Sequence, residues 1–315
     1  MGNKQLEDRV DGEVKKGKGR LTALILILLA ALGFGIYDSN CIQRKIARYN
    51  SNKRISAIDT EMKKRFPQND LKPSKSNIFD NYNQIHSILI NGDKYDAEEK
   101  DIPYIKNRHW INITEVYKYL KSMGLEDKDI TILNNVADFK DELNKDITDH
   151  ITENFDVEKS TETNIKKALD RAKSKYNEND LLVIYMTGYG RMVNGEGAFL
   201  SCGDEITESE LLEYIDGIKA NMLFILENCK SGNLAKAIAK KPNVAAVAAC
   251  SEGELASGIR YGSFGRLFIS YLSAGKSIEE AFSLAKKEYE LYLNKTHKIR
   301  LTTSKIPETP VLYKN

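Results

Sequence analysis

The feature that most constrains the fold is a series of short, nearly continuous apolar runs separated by helical patterns. LLVIYMT (181–187) and NMLFILENC (221–229) lack the alternation of a strand that is half exposed. Runs of this kind are typical of parallel strands that are buried on both faces. IHSILING (85–92), DITILNN (129–135) and NVAAVAAC (243–250) continue the series. The sequence therefore predicts an α/β domain with helices on both faces of a mostly parallel sheet of roughly six strands.

Local signals place the connecting elements. Asn112 and Glu115 have the spacing of a capping pair, which predicts that a helix begins at residue 112 and ends near Gly124. GRMVNGEGAFLSCGD (190–204) is interpreted as a hairpin. The acidic stretch 136–160 shows little periodicity and is interpreted as an excursion from the sheet, and PVLY near the chain end predicts a last strand.

The N-terminal region predicts a membrane anchor. A basic cluster, KKGKGR, precedes LTALILILLAALGFGIY, a stretch of seventeen residues without a charge. This length is at the short end of the range that spans a bilayer. No small-x-small cleavage site follows, so an uncleaved single-pass anchor is favoured over the alternative of a cleaved signal peptide. The predicted organisation is a basic tail (1–20), a transmembrane helix (21–37), a polar stalk (38–80) and a domain covering 81–315.

The charge distribution gives a weak indication of orientation. Basic residues are dense directly before the span, which favours a cytoplasmic N-terminus and an extracytoplasmic main domain. Further lysines and arginines follow the span, so the charge difference across it is small. Membrane lipid is thus an expected partner of the N-terminal helix.

Composition excludes several function classes. The chain has 47 basic and 45 acidic residues, a net charge of +2, without the concentrated basic face of a nucleic-acid-binding protein. Its four cysteines and four histidines are scattered and show neither metal-ligand spacing nor a disulfide framework. We therefore predict no metal, no cofactor and no nucleic-acid partner. The sequence does not indicate an oligomeric state.

Two strand ends carry potentially reactive residues. In open α/β sheets, ligands bind at the carboxyl ends of the strands. One strand runs into Gly188-Tyr189-Gly190 and another into Glu227-Asn228-Cys229-Lys230-Ser231-Gly232. Each end has glycines that allow backbone N–H groups to face a ligand.

Together these two ends resemble the caspase–haemoglobinase superfamily of cysteine peptidases. Its members have one strand ending in His-Gly and a later one ending in acidic-x-Cys-x-Ser-Gly or close variants. The stretch KNRHWINITEVYKYLKSMGLEDKDITIL (106–133) is similar to the legumain family, including the GPI-anchor transamidase catalytic subunit. The resemblance covers roughly residues 85–315. It implies a caspase–haemoglobinase fold, a nucleophile at Cys229, and substrate-binding roles for Arg108, Glu227 and Ser231.

The departure from this family lies at Tyr189. Legumain-like enzymes carry a histidine there, which serves as the general base. A tyrosine, with a pKa of about 10, is protonated at neutral pH and accepts a proton poorly. Loss of a positioned base costs on the order of 10² to 10⁴ in rate. The N–H groups of Cys229 and Gly190 remain available as an oxyanion hole, because that role needs no side chain.

Three other routes to proton transfer are open at the level of sequence. In the first, His109 would reach the thiol and accept its proton. In the second, Lys230 would lower the pKa of the thiol. In the third, Tyr189 would ionise near a positive charge. The first hypothesis is a membrane-anchored, legumain-like cysteine endopeptidase or transpeptidase acting on Asn- or Asp-containing peptides or proteins. The second is an inactive pseudopeptidase that serves as a peptide-binding module or partner subunit. A third is an unrelated doubly wound domain, although GYGRMVNG lacks the helix that follows a nucleotide loop.

Overall fold

The computed structural model describes residues 78–92, 108–135, 145–256, 263–297 and 308–314. The predicted tail, transmembrane helix and most of the predicted stalk lie outside these residues. Within the described ranges, no helix combines the length and apolar character needed to cross a membrane.

Nine strands and seven α-helices are described. The strands are β1 (Ile85–Asn91), β2 (Ile130–Asn134), β3 (Leu181–Thr187), β4 (Tyr189–Val193), β5 (Glu196–Ser201), β6 (Asp204–Thr207), β7 (Asn221–Glu227), β8 (Val244–Ala248) and β9 (Val311–Lys314). The helices are α1 (Arg108–Ser122), α2 (Lys145–Asn154), α3 (Glu162–Lys175), α4 (Glu208–Tyr214), α5 (Ser231–Ile238), α6 (Phe264–Ser273) and α7 (Ile278–His297). Short 3-10 turns cover Ile78–Asn81 and Asp127–Asp129.

The main sheet has six strands in the order β2-β1-β3-β7-β8-β9. Every neighbouring pair is parallel except β8 and β9, which are antiparallel. The predicted α/β class and the mostly parallel sheet are confirmed. β3 lies at the centre and is buried along its whole length, which explains its continuous apolar sequence.

Helices cover both faces of this sheet. Along β3, Val183 and Tyr185 face a core that includes residues of α1, α6 and α7. Ile184 and Met186 face a second core, formed with residues of α3, α4 and α5. The alternation of side chains along a strand therefore divides the interior into two layers.

The start of α1 differs from the prediction. The helix begins at Arg108 rather than at Asn112, and Asn112 and Glu115 are buried inside it instead of capping it. Trp110 is fully buried, and its indole N–H donates to Thr148 of α2 over 3.1 Å. Burial of this first turn outweighs the local capping signal, because a large aromatic side chain gains more from burial than a cap contributes.

The predicted hairpin is present between β4 and β5, and β6 extends it to a three-stranded antiparallel sheet. Asn194 and Gly195 form its two-residue turn, both with positive φ (49° and 89°). Asn-Gly is the preferred pair for such a turn. The hairpin leaves the main sheet directly after Gly188 and thereby places Tyr189 and Gly190 at the carboxyl edge of β3.

Candidate active site

A small cavity of about 60 Å³ lies at the carboxyl ends of β3 and β7. It brings together four residues predicted from sequence, namely Arg108, Tyr189, Glu227 and Cys229. The remaining lining residues are His109, Asn112, Thr187, Gly188, Ala249, Ala256, Ser263 and Tyr289.

Cys229 follows β7 by two residues and is half-buried. Its Sγ lies 3.6 Å from the carbonyl oxygen of Ala256. Gly190 packs directly against this segment, since a Cβ at Gly190 would overlap the backbone carbonyl oxygen of Cys229 and the side-chain Nδ2 of Asn228. The ends of β3 and β7 therefore touch, and the requirement for glycine at residue 190 is steric.

Tyr189 is held by side chains from α1. The Cζ atom of Arg108 lies 5.4 Å from the centroid of the Tyr189 ring, within cation–π range. The ring of His109 meets the same tyrosine edge-on, with 6.0 Å between ring centroids. Tyr189 is half-buried, so its ring forms part of the cavity wall beside the thiol.

His109 is neutral and engaged through both ring nitrogens. Its Nε2 accepts from Arg108 Nε at 3.0 Å, so Nδ1 carries the proton and donates to Thr187 Oγ1 at 2.6 Å. Burial first, and the adjacent Arg108 charge second, lower the pKa of His109 well below its usual value. In this arrangement His109 has no nitrogen left to take a proton from Cys229.

Glu227 lines the cavity as a fixed carboxyl group. The Tyr185 hydroxyl donates to Oε2, and the Gly265 N–H at the start of α6 donates to Oε1 over 2.6 Å. Burial raises the pKa of Glu227 above its usual value, although these hydrogen bonds oppose the shift. Both carboxyl oxygens thus accept from the protein, which fixes their position in the cavity wall.

Ser231 and Lys230 point elsewhere. Ser231 is the first residue of α5, is buried, and has its Oγ 3.3 Å from Cys250 Sγ. It does not line the cavity, so its assignment to substrate binding stays a prediction. Lys230 has φ 64°, and its ammonium group donates to the carbonyl oxygen of Gly253.

The pairing register of β4 with β5 determines the direction in which the Gly190 N–H points. Val193 and Glu196 close the two-residue turn, and pairs then alternate between hydrogen-bonded and non-bonded along the ladder. Counted from the turn, Gly190 and Phe199 therefore form a pair without hydrogen bonds between them. Its N–H therefore points away from β5, on a residue in contact with Cys229, as a second oxyanion donor requires.

The cavity residues that sequence reasoning did not assign to the site include Asn112, Ser263 and Tyr289. Asn112 Oδ1 is buried without a hydrogen-bond partner among the described residues. Arg108 and Asn112 have helical i, i+4 spacing, so a helix drawn from residue 108 would have placed both on one face. Ser263 directly precedes α6 and Tyr289 lies on α7, and the packing of these helices over this edge had no local signal. The described chain contains no group of His, Cys, Asp and Glu that could hold a metal ion.

Fold and site define a class: a cysteine-peptidase-type α/β domain whose thiol lies at the end of a central parallel strand. The profile of the peptidase C13 family matches residues 86–311, and the chain belongs to this family. The predicted kinship with legumain and the GPI transamidase is thereby confirmed at the level of family.

Other comparisons are distant. A search among curated proteins finds no match. The crystal structure of caspase-1 from Spodoptera frugiperda is 12% identical and covers 77% of this chain and 92% of its own, with a TM-score of 0.48. A protein from Geobacter sulfurreducens is 10% identical and covers 73% of this chain and 92% of its own, with a TM-score of 0.41. The family assignment rests on the profile match.

Proposed function

We propose that this protein is a membrane-anchored, legumain-like cysteine endopeptidase or transpeptidase homologue with an atypical Tyr-Cys site. Its substrates are peptides or proteins that contain Asn or Asp. One observation carries the proposal: Arg108, Tyr189 and Cys229, which are distant in sequence, line a single small cavity.

The cavity has the polarity of a pocket for a short amide or carboxylate side chain. Arg108 in the cavity wall supplies N–H donors for the substrate side-chain oxygen. The buried Oδ1 of Asn112 is an acceptor for the N–H₂ group of an asparagine side chain. A volume of about 60 Å³ matches a short polar side chain better than an extended one.

The chemistry proceeds through a thioester. The thiolate of Cys229 attacks the scissile carbonyl carbon, and the carbonyl oxygen becomes an oxyanion held by the N–H groups of Gly190 and Cys229. Collapse of this intermediate breaks the C–N bond, and the leaving amine takes up a proton. Water then releases an acid, or a second amine releases a new peptide in the transpeptidase case.

Proton transfer is the step that we expect to limit the rate. An ordinary thiol, with a pKa of about 8.5, is only partly ionised at neutral pH, and a tyrosine does not readily accept its proton. Tyr189 still carries an O–H at the position from which a leaving amine would be protonated. We therefore propose slow turnover rather than none.

A second candidate is an inactive pseudopeptidase that retains the cleft as a peptide-binding module or partner subunit. The specific observation in its favour is the engagement of both ring nitrogens of His109 by Arg108 and Thr187. The histidine that lines the cavity is then unable to replace the missing base.

Localisation belongs to the proposal as well. The uncharged stretch 21–37 anchors the chain in a membrane once, and the basic cluster before it keeps the N-terminus cytoplasmic. The peptidase domain is then extracytoplasmic. Protease accessibility of an epitope at the C-terminus in sealed, right-side-out vesicles tests this. Digestion of the epitope is expected, and its protection would place the domain on the cytoplasmic side.

A reporter assay separates the two candidates. An asparaginyl peptide with a fluorescent leaving group is incubated with the wild type, with Cys229→Ala and with Cys202→Ala. Slow cleavage that disappears in Cys229→Ala and persists in Cys202→Ala supports the peptidase. Binding of the reporter without cleavage by the wild type supports the pseudopeptidase.

A further inference from the structure

β4 is an edge strand that begins at the candidate site. The small sheet has the order β4-β5-β6, so β4 is hydrogen-bonded on one side only within the described part of the chain. Tyr189 and Gly190 at its start lie beside Cys229, and the strand runs outward from there to Val193. Exposed edges of this kind are templates for pairing with another extended chain.

The register identifies which backbone groups face outward. Counted from the Asn194-Gly195 turn, Val193 and Arg191 bond to β5, whereas Met192 and Gly190 occupy non-bonded pairs. On the β5 side, Gly197 is opposite Met192, and its N–H donates to Glu208 Oε1 at 2.6 Å instead of to β4. This bond supports the counting. The N–H and C=O groups of Gly190 and Met192 therefore face the open edge.

The chemistry at residue 189 indicates which half of a substrate lies here. The leaving amine must face the proton donor, and β4 continues directly from Tyr189. A peptide whose scissile carbonyl lies against the Gly190 N–H would send the residues that follow that bond along β4. Met192 at this edge is 41% exposed, so an incoming chain can contact this residue.

We propose that the open edge of β4 binds the substrate segment that follows the scissile bond, as an added parallel strand. The proposal rests on the function proposed above. Because both chains run outward from the site, the second residue after the scissile bond pairs with β4 through both backbone groups. Its N–H donates to the Gly190 carbonyl, and its C=O accepts from the Met192 N–H.

The first test varies only the peptide. Binding of fluorescent peptides to Cys229→Ala protein is measured by anisotropy, with one peptide ending at the asparagine, one extended by four residues, and one extended and N-methylated at the second added residue. The extension should tighten binding about tenfold through two backbone hydrogen bonds, and N-methylation should remove most of that gain. Equal affinities of the two extended peptides, or absent binding of the extended peptide, would overturn the proposal.

The second test varies the strand. Met192→Pro removes the outward N–H without breaking a bond to β5, and should abolish the tenfold gain. Met192→Ala keeps the N–H and should retain most of it. Loss of the gain in both variants would assign the effect to the side chain and contradict strand addition. Asparagine replaced by leucine in each peptide tests the cavity separately, because this change affects short and extended peptides alike.

Discussion

The ends of β3 and β7 are built in different ways, although both serve one cavity. At the β7 end, Cys229 is fixed by its own chain and its neighbours. The Asn228 side chain donates to the Cys229 carbonyl oxygen at 2.9 Å, and the Lys230 N–H donates to the Glu254 carbonyl at 2.9 Å. At the β3 end, Tyr189 is held by two α1 side chains. The backbone around Cys229 is thus fixed by hydrogen bonds, whereas the ring of Tyr189 is held by ring contacts with Arg108 and His109.

The largest expected effect comes from restoring a base at the β3 end. Tyr189→His places an imidazole beside Cys229 and should raise cleavage of the asparaginyl reporter by about 10² to 10⁴. The matched control is Tyr189→Phe, which keeps the ring but removes the hydroxyl and should leave the rate low. An unchanged rate in Tyr189→His would show that proton transfer at residue 189 is not what limits this site.

The next effect concerns Arg108, which contacts the β3 end and lines the cavity. Arg108→Met should remove the proposed charge-assisted hydrogen bond to the substrate side chain, worth about 1.5–3 kcal/mol, so KM for the reporter should rise roughly 10- to 100-fold. Arg191→Met removes a surface charge paired with Glu205 and should change KM little. Similar KM values for both variants would remove Arg108 from the substrate pocket.

Contact between the two strand ends is tested at Gly190. Gly190→Ala forces a methyl group into the Cys229 carbonyl and should destabilise the fold by about 1–3 kcal/mol in denaturant unfolding. It should also reduce labelling of the thiol.

The control is Gly203→Ala at the β5–β6 turn. This glycine has φ 95° and no neighbour within reach of a Cβ, so only backbone strain is added there. Normal thiol labelling in both variants would mean that the close approach at residue 190 has no bearing on the site.

The smallest effect is a pH dependence of opposite sign at the two ends. The pKa of His109 is lowered, so the unfolded chain binds a proton that the fold does not, and stability is lost as pH falls below about 6.5. The pKa of Glu227 is raised, so its contribution is present below the ordinary carboxyl pKa and is lost as pH rises through the folded value.

Unfolding free energies of His109→Gln and Glu227→Gln between pH 4 and pH 8 distinguish the two contributions. His109→Gln should reduce the slope of the unfolding free energy against pH, on the acid side of the profile, by up to about 1.4 kcal/mol per pH unit. His86, whose pKa is lowered to about 4, leaves a residual slope of the same sign. If the slope of the unfolding free energy at acid pH is the same in His109→Gln as in the wild type, His109 is not a neutral, buried imidazole.

Sequence patterns predicted the parts of this site that depend on the sheet. Continuous apolar runs identified β3 and β7 as central strands, and the rule for parallel sheets brought Tyr189, Gly190 and Cys229 to one edge. The parts contributed by helix packing were not predictable in this way. The start of α1 was masked by a capping pattern at Asn112, because burial of Trp110 outweighs a local cap. Ser263 and Tyr289 reach the cavity through tertiary packing, which leaves no local pattern.

The central claim is that Cys229 is a nucleophile at the mouth of a peptide-binding cleft. Its most direct test is treatment of the wild-type chain with an electrophilic asparaginyl peptide, followed by mass spectrometry of every cysteine. We expect slow modification of Cys229 that an unreactive asparaginyl peptide suppresses, whereas Cys202, which is also half-buried, is left unmodified. Modification of Cys202 at the same rate, or of Cys229 without protection by the peptide, would contradict it.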